Sequence, residues 1–240
     1  MINNNFYSIN GIVIKLFPRD YIKRINIRIK PLEGVVVSYP SYISFERVED
    51  FINLKFTWIK KQYIKIKKIE ERITLFDMNT NFNTKSHKLC LQRVQSNKIK
   101  YLIGNQTIDV LIPEQFDIFH MNVQNSIRFA IEETWRLEAK DYLPKRVEEL
   151  ADEHNLIYNK VFIKKTKSIW GSCSFVNNIN LSLYLMRLKE NLIDYVILHE
   201  LAHTRIKNHS KYFWSFLDDL VKGDAKILDK EIKSFRIDIY

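Results

Sequence analysis

The hydrophobic positions of this chain change period several times, and each change marks an element. Across residues 11–39 the pattern is that of strands. Ile25, Ile27 and Ile29 alternate with Asn26, Arg28 and Lys30, the two-residue period of a half-buried strand. Glu33-Gly34 predicts a turn, residues 35–37 a returning strand, and Pro40 its end. From 44 to 73 the period becomes helical, with Phe45, Val48, Phe51, Ile52, Phe56, Ile59, Tyr63 and Ile66 on one side and lysines on the other. Residues 74–86 are polar and aperiodic, the pattern of a mobile connector. Residues 88–112 predict two or three short strands with a turn at Gly104-Asn105. A helix is expected over 121–143, and Pro144, suited to a first turn, opens a second one to about 154. No sequence repeat is evident.

Further along, residues 161–165 predict a short strand, and Asn177-Asn178 a hairpin turn after the segment SIWGSCS at 168–174. Residues 179–185 alternate: Ile179, Leu181, Leu183 and Leu185 face one way, Asn180, Ser182 and Tyr184 the other. Such a strand is either an ordinary core strand or the rim of a cleft to which an extended peptide adds. Residues 194–203 are strongly apolar and helical, and 225–240 predict a terminal helix that packs as a tail.

Composition narrows the classes. At 240 residues the chain is long enough for one or two domains with a sizeable core. It has two cysteines far apart, no run of about twenty apolar residues, and no basic-then-apolar leader in its first ten residues, so a soluble, cytoplasmic protein is expected. The net charge of +10 permits attraction to nucleic acid. It also accords with a chain rich in Ile, Asn and Lys, whose lysines are spread along helices such as 55–68.

Chemistry concentrates in the stretch DYVILHELAHTRIKNHSKYFW, residues 194–214. Residues four apart on an α-helix differ by only about 40° around its axis, so His199 and His203 can turn their rings toward one ion. Neutral imidazoles suit Zn²⁺, and Glu200 between them is placed to act on a metal-bound water. Polar residues inside so apolar a helix are costly unless something satisfies them. His209 is the candidate third ligand, since no histidine or cysteine follows it. Ile206 stands where HExxHxxGxxH proteases have glycine and is ill suited to positive φ. The helix is therefore expected to run to about Ile206 and turn at Lys207-Asn208, with Asn208 taking positive φ and Ser210 capping a new helix over 211–216. Cys173 predicts a small buried thiol in a turn near this site.

Taken in order, Trp170-Gly171-Ser172-Cys173-Ser174, Ile179-Asn180-Leu181, Asp194-Tyr195-Val196, His199-Glu200-Leu201-Ala202-His203, Asn208-His209-Ser210 and Phe213-Trp214 resemble the YgjP-like metallopeptidase family, related to the SprT-like and WLM zincins. The resemblance implies an α+β fold: a minimal zincin-like metallopeptidase domain whose active-site helix lies under a small sheet, preceded by a mainly β part with a long helix. It divides the chain into an N-terminal region 1–113, with helix 44–73, and a zincin-like domain 114–240, either as two parts or as one compact unit. It also implies zinc held by His199, His203 and His209, with Glu200 catalytic.

The leading expectation is zinc-dependent hydrolysis of peptide or protein substrates, with no membrane partner. Tyr184, Arg187 and Arg205 are candidate oxyanion donors by sequence proximity. A second reading, raised by a label some family members carry, is a metal-dependent nucleoside-triphosphate pyrophosphatase of the UTP type, for which Arg187, Lys189, Arg205 and Lys207 would supply positive charge. No GxxxxGK phosphate loop supports it. A third is a DNA-associated protein-processing module, whose DNA affinity should fall steeply with salt.

Overall fold

Asn10 and Gly11 both take positive φ, 46° and 77°, the pair that a type I′ hairpin turn needs. They fold β1 (Phe6–Ile9) back on β2 (Ile12–Arg19), pairing Ile9 with Ile12. The hydrophobic pattern alone does not reveal β1, but the Asn-Gly pair marks its turn. The computed structural model describes residues 6–235. Among them are five α-helices and three small sheets, the mixed α+β class expected. Residues 236–240 of the expected tail helix lie outside the described residues; the helix itself is α5, Ala225–Ser234.

Contacts divide the chain into two units between Thr74 and Leu75. In the first, β3 (Asn26–Lys30) and β4 (Gly34–Pro40) complete a sheet of order β1-β2-β4-β3. Its inward positions Ile12, Ile14, Leu16, Val35 and Val37 form one core with Val48, Ile52 and Ile59 of α1 (Phe45–Glu70). That core is the predicted strand period meeting the predicted helix period.

The second unit holds β5 (Lys88–Val94), β6 (Lys100–Ile103) and β7 (Thr107–Pro113), with α2 (Met121–Glu153) packed on β6 and β7. That packing places the second sheet with the C-terminal unit, whereas the sequence-based division falls after residue 113. Two expectations are corrected here. Helix α2 runs straight through Pro144, where two helices were expected. A proline inside a helix costs roughly 3 kcal/mol and frees the carbonyl four residues back. That carbonyl belongs to exposed Lys140, while Ala139, Leu143, Val147 and Leu150 keep one face of the helix buried.

The supposed connector 74–86 is also built into this unit. Phe76 is 0% exposed; its N–H donates to Gln124 Oε1 at 3.0 Å, and Gln124 Nε2 donates back to its carbonyl at 2.7 Å. Farther on, Thr84 Oγ1, the Ser86 N–H and His87 Nδ1 all donate to Glu138 Oε1 of α2, at 2.6, 2.8 and 2.8 Å. A polar segment is mobile only when its polar groups lack fixed partners, and here the partners lie some fifty residues ahead in sequence.

The third sheet comprises β8 (Val161–Lys164), β9 (Gly171–Cys173) and β10 (Ile179–Ser182), and α3 (Glu190–Arg205) packs on β9 and β10. The strand expected to reach Leu185 stops at Ser182, whose Oγ accepts from the Tyr184 N–H at 3.3 Å and starts a 3₁₀ turn, Leu183–Arg187. Ser182 and Tyr184 are 0% exposed like their neighbours, so the expected two-faced alternation fails there. Helices α4 (Lys211–Leu220) and α5 follow.

The three sheets share one plan. In each, the last strand runs parallel to the first and antiparallel to the middle one: β2-β4-β3, β5-β7-β6 and β8-β10-β9. Each is followed by a helix that packs on its middle and last strands. No helix among the described residues is long and apolar enough to cross a membrane.

Candidate metal centre

Helix α3 is buried on nearly all sides, with Leu192, Ile193, Val196, Ile197, Leu198, Leu201 and Ala202 in the core. Its orientation is tied to α2 by Arg146, which donates from Nε and Nη2 to the two carboxylate oxygens of Asp194, both at 2.8 Å. The pairing holds the Arg146 guanidinium well above its usual pKa, through hydrogen bonds first to Asp194 and then to Glu149. The helix ends at Arg205, and the Ile206 N–H closes it on the Ala202 carbonyl at 3.0 Å.

Beyond it, the chain turns back over the histidines. Asn208 does not take the expected positive φ; instead its Oδ1 accepts from the Ser210 N–H at 3.3 Å. Ser210 occupies the cap position of α4 without a side-chain cap bond. Lys207 pins this turn to the β9–β10 hairpin by donating to the Ser174 carbonyl at 3.0 Å and to Asn177 Oδ1. The hairpin turn falls at Asn177, which takes φ 57°.

The turn brings His209 to the other two histidines. Its Nε2 lies 3.0 Å from His199 Nε2 and 3.1 Å from His203 Nε2. Among the described residues these three form the group of metal-capable side chains, their ligand atoms all within 4.8 Å of one another. His203 Nδ1 donates to the Ile206 carbonyl at 2.9 Å, so its Nε2 keeps a lone pair directed at the cluster. Phe213, fully buried, stacks on the His203 ring at 4.4 Å, and Trp214 sits 6.3 Å from the His199 ring. Burial, reinforced by the other two histidines, lowers the His199 pKa to about 4, and burial lowers that of His203. Neutral imidazoles with converging lone pairs are the donor set a divalent metal requires, so the residues fit the ion.

Glu200 is 6% exposed and faces β9. Desolvation by burial raises its pKa to about 8, opposed by a hydrogen bond from the Cys173 N–H. The Cys173 thiol is half-buried rather than buried, 3.7 Å from Lys207 Nζ; burial raises its pKa. Sequence reasoning weighed that thiol and missed the backbone N–H and the role of Lys207. The other three histidines serve elsewhere: His87 on Glu138, His120 as the N-terminal cap of α2 and His154 at its C-terminal end.

The candidate oxyanion donors are engaged in structure. Tyr184 donates to Glu132 Oε1 at 2.7 Å from a fully buried position, and burial drives its pKa far up. Arg205 donates to the Asn155 carbonyl at 2.7 Å, and Arg187 lies over the Trp135 ring at 5.8 Å.

This is a histidine triad with an adjoining buried carboxylate. The chain matches the model of the family described as YgjP-like, metallopeptidase domain, over residues 23–235, and it belongs to that metallopeptidase family. It is similar to the metallopeptidase zymogen jannalysin of Methanocaldococcus jannaschii, with 29% identity over 38% of this chain and 93% of that one, and a TM-score of 0.34. It is also similar to the zymogen abylysin of Pyrococcus abyssi, with 26% identity over 38% of this chain and 92% of that one, and a TM-score of 0.35. No curated protein is similar enough to match.

Proposed function

We propose that this metallopeptidase is a zinc enzyme, that His199, His203 and His209 hold the ion, and that Glu200 is its general base. The observation supporting this most directly is the meeting of three Nε2 atoms beside one buried carboxylate. Zn²⁺ held by these three imidazoles would act as a Lewis acid toward the scissile carbonyl and activate a water. Glu200 would take a proton from the attacking water at a carboxylate oxygen and return it to the departing amine nitrogen. The Cys173 N–H holds one side of that carboxylate, and Phe213 keeps the His203 ring from turning.

The substrate rim belongs to β9 rather than to β10. Strand β10 is paired on both sides, by β8 and β9, whereas β9 is an edge of the sheet and lies beside Glu200. An extended peptide laid along that edge would pair with it.

The nucleotide alternative has less support. Lys189 precedes α3 and Lys207 follows it, at opposite ends of a 16-residue helix about 24 Å long. With Arg205 and Arg187 occupied as described, the four cations make no single phosphate cradle.

The test compares wild type with Glu200→Gln for metal content and for cleavage of a peptide library, with and without chelator. One zinc per chain in both proteins, with turnover confined to the unchelated wild type, is the expected result. Equal turnover by Glu200→Gln would overturn the mechanism. Hydrolysis of nucleoside triphosphates without peptide cleavage would move the substrate to phosphoanhydrides.

A further inference from the structure

Gly171 is a glycine whose backbone does not need one. Its φ is not positive, unlike those of Gly11, Gly34 and Gly223, and it pairs with Leu181 in an ordinary antiparallel ladder. What sets it apart is its neighbour. A Cβ placed on Gly171 would stand 2.8 Å from Glu200 Cγ, 2.8 Å from Glu200 Oε1 and 3.0 Å from Glu200 Cδ. Real β-carbons essentially never approach so closely, so either strand β9 or the carboxylate would have to shift.

The strand is the better held of the two. The Ser182 N–H donates to the Trp170 carbonyl at 2.8 Å, and Asn180 Nδ2 reaches the Ser172 carbonyl at 3.4 Å and Ser172 Oγ at 3.3 Å. Ser182 Oγ donates to the Thr166 carbonyl at 2.8 Å, fixing the approach to the strand. The carboxylate, at the end of a flexible side chain, is what gives way.

We propose that Gly171 is a positioning residue for Glu200: its bare α-carbon is the wall that sets where the carboxylate lies, while the Cys173 N–H sets its direction. The inference rests on the reading of Glu200 as the general base, and it extends that reading to the strand opposite. Any side chain at 171 pushes the carboxylate out of line while leaving the three imidazoles in place. Misplacement by about 1 Å costs on the order of 100-fold in rate.

The experiment uses full-length, zinc-loaded Gly171→Ala. A crystal structure should show the Glu200 carboxylate displaced beyond the roughly 0.5 Å that a catalytic group tolerates, with the imidazoles unmoved and metal content unchanged. Turnover should fall about 100-fold in kcat, with KM nearly constant. In a Glu200→Asp background, whose shorter side chain withdraws from the wall, adding Gly171→Ala should cost little further activity. Should Gly171→Ala fail to fold, Gly171→Ala/Glu200→Ala should fold, because the atoms in conflict are gone; failure of both would overturn the proposal. So would an undisplaced carboxylate with full kcat. Displacement of the carboxylate together with full activity in Glu200→Gln would instead reject Glu200 as the base while leaving the steric relation standing.

Discussion

The unit built on β2, β3, β4 and α1 and the segment built on β8, β9, β10 and α3 have the same topology and opposite purposes. In both, the last strand pairs parallel with the first, and the following helix lies on the middle and last strands. Helix α1 presents Val48, Ile52 and Ile59 to its sheet and closes an apolar core. Helix α3 presents Glu200 to β9, where a glycine leaves room for it, and extends His199 and His203 to a returning turn. The plan of a fold therefore says little about chemistry, which depends on what a helix carries at the strand it touches.

Four substitutions test this contrast, from the strongest effect down. His209→Ala removes the proposed ligand that only the turn after α3 supplies. The protein should lose stoichiometric metal and all hydrolysis while keeping its helical circular dichroism; a retained metal ion, read by plasma mass spectrometry, would remove His209 from the ligand set. Glu200→Gln should bind metal normally and lose roughly 10²- to 10⁴-fold in kcat, the range of a general base. Ile52→Ala, in the core of the first unit and 0% exposed, should do the reverse. Denaturant unfolding should show a loss of about 2–5 kcal/mol with unchanged metal content, and a loss of metal there would mean that the two regions are not functionally separate. Arg146→Ala breaks the partly exposed pair with Asp194 and should cost about 1 kcal/mol in the second unit. An unchanged unfolding midpoint would show that packing alone orients α3.

Much of the fold was legible where a period ran long enough. The alternation of Ile25, Ile27 and Ile29 and the helical stripe from Phe45 to Ile66 correspond to β3 and α1. The pattern failed where tertiary partners override local preference. Pro144 argues for a break, but the apolar face continues through it. Residues 74–86 look like a linker because Gln124 and Glu138, which satisfy them, are remote in sequence. The alternation past Ser182 suggests a strand because it cannot show that both faces are covered.

The candidate site divides along the same line. Spacing by itself determined that His199 and His203 share a helical face with Glu200 beside them, since helical geometry is local. It also named His209 by elimination. Tertiary structure alone decided that the turn past Ile206 folds back, that Lys207 ties it to the hairpin, and that β9 rather than β10 forms the edge. It alone revealed Gly171 as the space for a carboxylate. These are contacts between segments some thirty residues apart, and no local period records which remote atom will fill a given volume.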